Sequence, residues 1–197
     1  MRGERGVSAL AIDLTRLHRR TVTSFYSNLV TRPTGQAIRM GVESQIADLD
    51  PSLPVCLSVL DFSQVRVLDY SCADEIVAKL LLRYATDERP GDAYFVVRGL
   101  QEEHREAIEA VLERHNLLLV ADAPGGAPLL LGPANPFERA CWAVLRDRGA
   151  ATAVAIAEAS GMAEEAATST CAGLVARRVA VVRRDGAVSP LSSLINS

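Results

Sequence analysis

"LSVLDFSQVRVLDYSCADEIVAKLL", residues 57–81, decides how the chain is read. Its opening belongs to "LPVCLSVLDFS", an apolar run rich in β-branched residues that ends at Asp61 and predicts a strand buried on both faces. "VRVLDY" follows as a shorter second run. The period then changes. Ile76, Leu80 and Tyr84 recur at i, i+4 and i+8 with Val77 and Leu81 beside them, which predicts an amphipathic helix stopped by Pro90 and Gly91. Ser71 and Cys72 stand at the handover, where a nucleophile, a phosphoacceptor or a helix cap would be placed. With Ser71 as N-cap, Asp74 falls three residues later and Glu75 just beyond, close to a capping box, so a cap at Ser71 is the expectation.

Outward from this stretch the same two periods alternate. "ALAIDL" is a short apolar run, and "TRLHRRTVTSFYSNLV" reads as helical from Leu14. Pro33 bars that helix from running on, and Ile38, Met40, Val42, Ile46 and Leu49 predict a second helix of about three turns. "DAYFVVRGL" is a strand. "QEEHREAIEAVLERHN" is a helix with acids in its first turn, Ala107, Ile108, Val111 and Leu112 on one side, and His104 and His115 on its polar side. "LLLVADAPGGAPLLLG" reads as strand, loop and edge strand. This order of strands and helices implies an α/β unit with a mainly parallel or mixed sheet covered by helices. "GPANP", residues 132–136, marks a boundary. After it come three short helices, "FERACWAVLRDRG", "TAVAIAEASG" and "MAEEAATSTCAGLVARR", and a hairpin, "VAVVRRDGAVSPL", turning at Asp185-Gly186. The expected division is an α/β domain over residues 1–133 with an N-terminal helical extension, and a three-helix-plus-hairpin domain over 134–197.

Composition narrows the function classes. Of 197 residues, 49% are hydrophobic and 23% charged, enough for a real core, and the net charge of −3 provides no global attraction to nucleic acid or to an anionic membrane. No apolar stretch is long enough to span a bilayer and the start lacks a signal-peptide pattern, so a cytoplasmic protein without membrane contact is expected. Cys56, Cys72, Cys141 and Cys171 form no C-x-x-C pair and lie far in sequence from His18, His104 and His115. No metal site is expected, and the cysteines are read as core residues. A catalytic reading fails on the same inspection. Tyr70 and Cys72 flank Ser71 where a nucleophile elbow wants small residues, no base is near in sequence, and no phosphate-binding glycine loop is present. No cofactor is expected.

Two resemblances carry functional expectations. The Asp61-Phe62-Ser63 strand end, the run Val65–Leu68 and the polar opening Asp69–Glu75 resemble the STAS (sulfate transporter and anti-sigma-factor antagonist) superfamily over about residues 50–132. The resemblance implies a domain that docks a protein partner, a kinase or an anti-sigma-like ATPase, with Ser71 as the phosphoacceptor and Asp69, Cys72 and Asp74 on the partner surface. This chain has Asp69-Tyr70-Ser71-Cys72 where those proteins usually have Asp-Ser-Ser-Gly. The tail from residue 137 to about 192 resembles bacterial winged-helix regulators through Ile156, Ala157, Gly161, Met162, Leu174 and Val175, then Arg183, Arg184, Asp185 and Gly186. This implies DNA contact by Ser169 and Thr170 and by a basic strip of Arg177, Arg178, Arg183 and Arg184.

The resulting expectation is a non-enzymatic regulator in which a STAS-like domain docks a partner and a winged helix binds DNA, with a homodimer as a candidate assembly. The alternative is a protein adaptor whose winged helix binds no DNA, because Glu164 and Glu165 open the helix that would enter the groove. A further candidate is anion binding at Arg32, Thr34 and Gly35, where "TRPTG" opens a helix.

Overall fold

A computed structural model describes residues 20–49, 56–123 and 126–194; the "ALAIDL" run, the helix start at Leu14 and His18 lie outside them. Strands β1 (Arg20–Leu29), β2 (Cys56–Leu68), β3 (Ala93–Arg98), β4 (Leu119–Asp122) and β5 (Leu129–Leu131) form one sheet in chain order. The first four are parallel and β5 runs antiparallel to β4, so the protein is α/β with a mixed sheet. The crossovers are α1 (Arg32–Ala47), a continuous helix made of α2 (Tyr70–Ala73), a π turn (Asp74–Ala78) and α3 (Lys79–Ala85), and α4 (Glu102–His115). When strands follow one another in sequence order, crossovers of one hand put every helix on the same face.

That leaves the other face to be covered by something else. Side chains alternate along β3 and β4. Phe95, Val97, Leu119 and Ala121 pack with Ile76, Leu80, Tyr84, Ile108 and Leu112 of the crossover helices. Tyr94, Val96, Leu118 and Val120 face the opposite way and join a second core with Cys141, Trp142, Leu145, Ile156 and Leu174. These last residues belong to α5 (Pro136–Arg148), α6 (Ala153–Ser160) and α7 (Glu164–Ala176), which together with the hairpin β6 (Ala180–Val182) and β7 (Val188–Pro190) form the second layer. Apolar runs such as "YFVV" are what a strand with both faces buried requires. All four cysteines are free and buried, and the Cys141 and Cys171 sulphurs touch at 3.6 Å between α5 and α7.

Two expectations are corrected. Residues 20–29 form a strand, not part of a helix: Phe25 and Leu29 face the core while Val22, Ser24 and Asn28 are exposed, an alternation of two. The runs "LPVCLSVLDFS" and "VRVLDY" are not separate, because β2 is continuous through Leu68. Its register against β1 slips twice, from Ser24↔Asp61 to Tyr26↔Gln64 and from Ser27↔Val65 to Asn28↔Val67. Each slip inserts one extra residue on β2, a bulge that bends the strand and breaks its hydrophobic period. The exposed residues Ser63, Gln64, Arg66 and Val67 therefore look like a spacer in sequence while remaining in the ladder.

Candidate functional site

The ends of β1 and β2 and the starts of α1 and α2 meet at one place. The Asp69 amide donates to the Leu29 carbonyl at 2.9 Å, which carries the β1–β2 pairing to the first residue before α2. Asp69 has extended backbone (φ −87°, ψ 165°), and its carboxylate accepts the Cys72 amide at 2.8 Å. Asp69 is thus the N-cap, which corrects the expectation for Ser71. The helix begins at Tyr70, two residues earlier than a cap at Ser71 would start it, so Ser71 already lies inside the first turn. Its hydroxyl donates to both Asp69 carboxylate oxygens, at 3.0 and 3.2 Å. Replacing Asp69 with alanine is expected to cost about 1 kcal/mol, whereas Ser71→Ala costs less than about 0.5 kcal/mol. Urea melts of the two variants check this, and the opposite order would return the cap to Ser71.

The residues expected on a partner surface divide. Asp69 is half-buried, but Cys72 and Asp74 are buried. Burial pushes the Cys72 thiol up, and its sulphur donates to the Thr31 carbonyl at 2.9 Å, so it stays protonated and locks α2 to the start of α1. Asp74 and Glu75 do not complete a capping box. They fall in the π turn, where one extra residue widens the helix, and they point into a set of cations. Arg32 donates to Asp74 at 3.3 Å and to Glu75 at 2.8 Å; His115 lies 2.9 Å from Asp74, and Lys79 pairs with Glu75. Burial raises both carboxyls, but His115 and Arg32 at Asp74, and Lys79 and Arg32 at Glu75, outweigh it and hold both below the ordinary carboxylate range.

The anion-site candidates are placed in the same junction. Thr31 caps α1, its hydroxyl accepting the Thr34 amide at 3.4 Å and meeting the Thr34 hydroxyl at 2.8 Å. Gly35 is the point where α1 crosses α2. A Cβ there would stand 2.9 Å from the Glu75 Cβ and 3.0 Å from the Cys72 Cα, so only glycine allows this approach. Arg32 is turned onto protein carboxylates.

Histidines expected on the polar side of α4 are drawn inward. His104 is fully buried and accepts the Gln101 amide at 3.3 Å within a reciprocal cap, and burial pushes its pKa down. At the strand end, Asp61 accepts two bonds from Arg98, its register partner on β3, and one from the Ser63 amide. Burial raises Asp61, and the bonds from Ser63 and Arg98 outweigh it. The Asp-Phe-Ser motif therefore closes the β2–β3 ladder.

The candidate DNA strip is also divided. Arg177 donates to both Glu138 oxygens at 3.0 and 3.1 Å, and to the Asn116 carbonyl at 3.0 Å. Arg178 donates to Asp92 at 2.6 Å and to the Ala93 carbonyl at 2.8 Å, and its guanidinium stacks on the Tyr94 ring at 4.0 Å. Arg177 thus joins α5 to the end of α4, and Arg178 grips the start of β3. Arg183 and Arg184 lie on the hairpin, with Arg183 3.5 Å from Asp185. Ser169 is exposed and Thr170 half-buried on α7, whose first turn exposes Glu164 and Glu165.

Sequence reading missed Arg39, Glu43, Lys79 and Arg83 as members of the junction. The i, i+4 pairs Arg39–Glu43 and Glu75–Lys79 were a local signal for two of the links, but nothing local announces that the pairs meet. Asp92, Asn116 and Glu138 were missed for the same reason. No family model matches the chain, and neither a curated protein nor a solved structure matches it.

Proposed function

We propose that this chain is a non-enzymatic bacterial regulatory protein in which a STAS-like domain docks a protein partner and a winged-helix-like C-terminal unit serves as an adaptor layer. The observation that carries the adaptor reading is the use of Arg177 and Arg178 as intramolecular clamps on Glu138, Asn116, Asp92 and Tyr94. Half of the basic strip that would neutralise phosphates is spent on partners within the chain, and acids occupy the opening of α7. Against a thiol nucleophile stands Cys72 as a buried donor to the Thr31 carbonyl. Ser71 stays a candidate phosphoacceptor. Its hydroxyl bonds the capping carboxylate of Asp69, so a phosphoryl group there would meet like charge and open the first turn of α2.

The second reading, DNA contact, is favoured only by Arg183 and Arg184 on the hairpin with Ser169 exposed on α7. Titration of a random duplex across a salt series separates the two. The adaptor reading expects dissociation constants weaker than about 10⁻⁴ M even at low salt. Tight binding with a clear negative salt slope, lost on Arg183→Gln and Arg184→Gln, would establish the DNA reading instead.

A further inference from the structure

The junction of α1 with α2–α3 has an unusual vertical order of charge. Its carboxylates are at the bottom: the side chains of Glu75, Asp74 and Glu43 are 3%, 8% and 15% exposed. Its cations are on top: Arg32, Lys79 and Arg83 are 50%, 40% and 52% exposed, with Arg39 between them at 16%. Four cations meet three carboxylates along this helix seam, so the seam carries an excess positive charge in a chain whose net charge is −3. Each arginine has five donor hydrogens, and those facing solvent are left for a further acceptor.

One exposed apolar side chain stands on each side of the seam. On α1, Arg32, Gln36 and Met40 follow one another down the flank that carries Glu43, and Met40 is 57% exposed. On α3, Leu82 lies just outside the Lys79–Arg83 edge and is 38% exposed. An exposed methionine and leucine on either side of a cationic line offer apolar anchoring next to charge.

We infer that the charged seam of α1 with α2–α3 docks an acidic peptide segment of a partner protein, one carrying an apolar side chain that lodges against Met40 or Leu82. The inference rests on the partner-docking reading and specifies its partner by charge complementarity. Nucleic acid also offers negative charge, but a phosphate backbone has no apolar group to place on Met40 and Leu82. The buried carboxylates hold the cations in place beforehand, so the partner does not have to order them.

The test uses the full chain and a synthetic glutamate-rich helical peptide with leucines on its acidic face, followed by anisotropy and by amide shifts. The expected result is salt-sensitive binding with shifts confined to α1 and α3. Lys79→Gln combined with Arg83→Gln should weaken it about tenfold or more. Glu75 keeps Arg32 and Arg39 in that variant, so the fold survives. Met40→Ser with Leu82→Ser, both at exposed positions, gives a second reading and should also weaken binding. Arg183→Gln with Arg184→Gln should not. The proposal is overturned by absence of binding at low salt, by binding indifferent to the seam variants, or by equal binding of an oligoglutamate without leucines. It is also overturned if duplex DNA or phosphatidylserine vesicles occupy the same seam more tightly than the peptide. Duplex DNA held through Arg183 and Arg184 would instead sink the adaptor reading and leave the seam assignment intact.

Discussion

Gly132→Ala is expected to destabilise the protein by at least about 3 kcal/mol, lowering Tm by roughly 6–12 °C for a chain of this size. Gly132 ends β5 with φ +96°, a conformation costly for any L side chain. Space is the larger problem. A Cβ there would stand 2.2 Å from the Leu117 carbonyl oxygen, a backbone atom that cannot swing away. Leu117 follows Asn116, the left-handed cap of α4 that Arg177 grips, so relief at Leu117 would disturb the clamp on the C-terminal layer. Gly149→Ala is the control. Gly149 caps α5 at φ +72° but has nothing near its missing Cβ, so only conformational strain of about 1 kcal/mol is expected. Calorimetric scans of both variants compare the two costs; equal losses would mean that the loop after β5 moves freely.

Arg178→Ala is expected to cost about 2 kcal/mol and to do so unevenly across the molecule. The substitution removes a part-buried ion pair to Asp92, a bond to the Ala93 carbonyl and the stack on Tyr94, and it leaves Asp92 with Arg89 at 3.3 Å as its remaining partner. Hydrogen exchange should quicken in α7 and in the β6–β7 hairpin while α1 and β2 keep their protection. Asp92→Asn should cost less, because Arg178 retains the carbonyl and the ring. Uniform loss of protection would mean that the second layer and the sheet open as one unit.

Much of the architecture was legible because it depends on local periods. α4 is announced by its apolar stripe and its charged ends, and the Asp185-Gly186 turn names the last hairpin. The errors came where a local rule was overridden. β1 was read as helix because its exposed Val22 and half-buried threonines blur a period of two. β2 was split because two bulges shifted its register and put polar residues in mid-strand. Ser71 looked like the cap because serine before a helix usually is one. Asp69, two residues earlier and held by the Leu29 carbonyl, has the extended backbone that capping needs.

The candidate site was legible in position and not in chemistry. Asp69–Glu75 and "TRPTG" were both singled out, and the fold brings them together, yet which groups face solvent depends on a crossing between helices about 40 residues apart in the chain. The sequence by itself determined the order of strands and helices and the mixed α/β class, because hydrophobic period, caps and turns act over a few residues. Only the tertiary structure decided that Glu75 is buried beneath Arg32, Arg39 and Lys79 and that Arg178 is spent on Asp92, 86 positions away. A charge carries no mark of its future partner: desolvation and Coulomb energy are set by neighbours that meet only when the layers close.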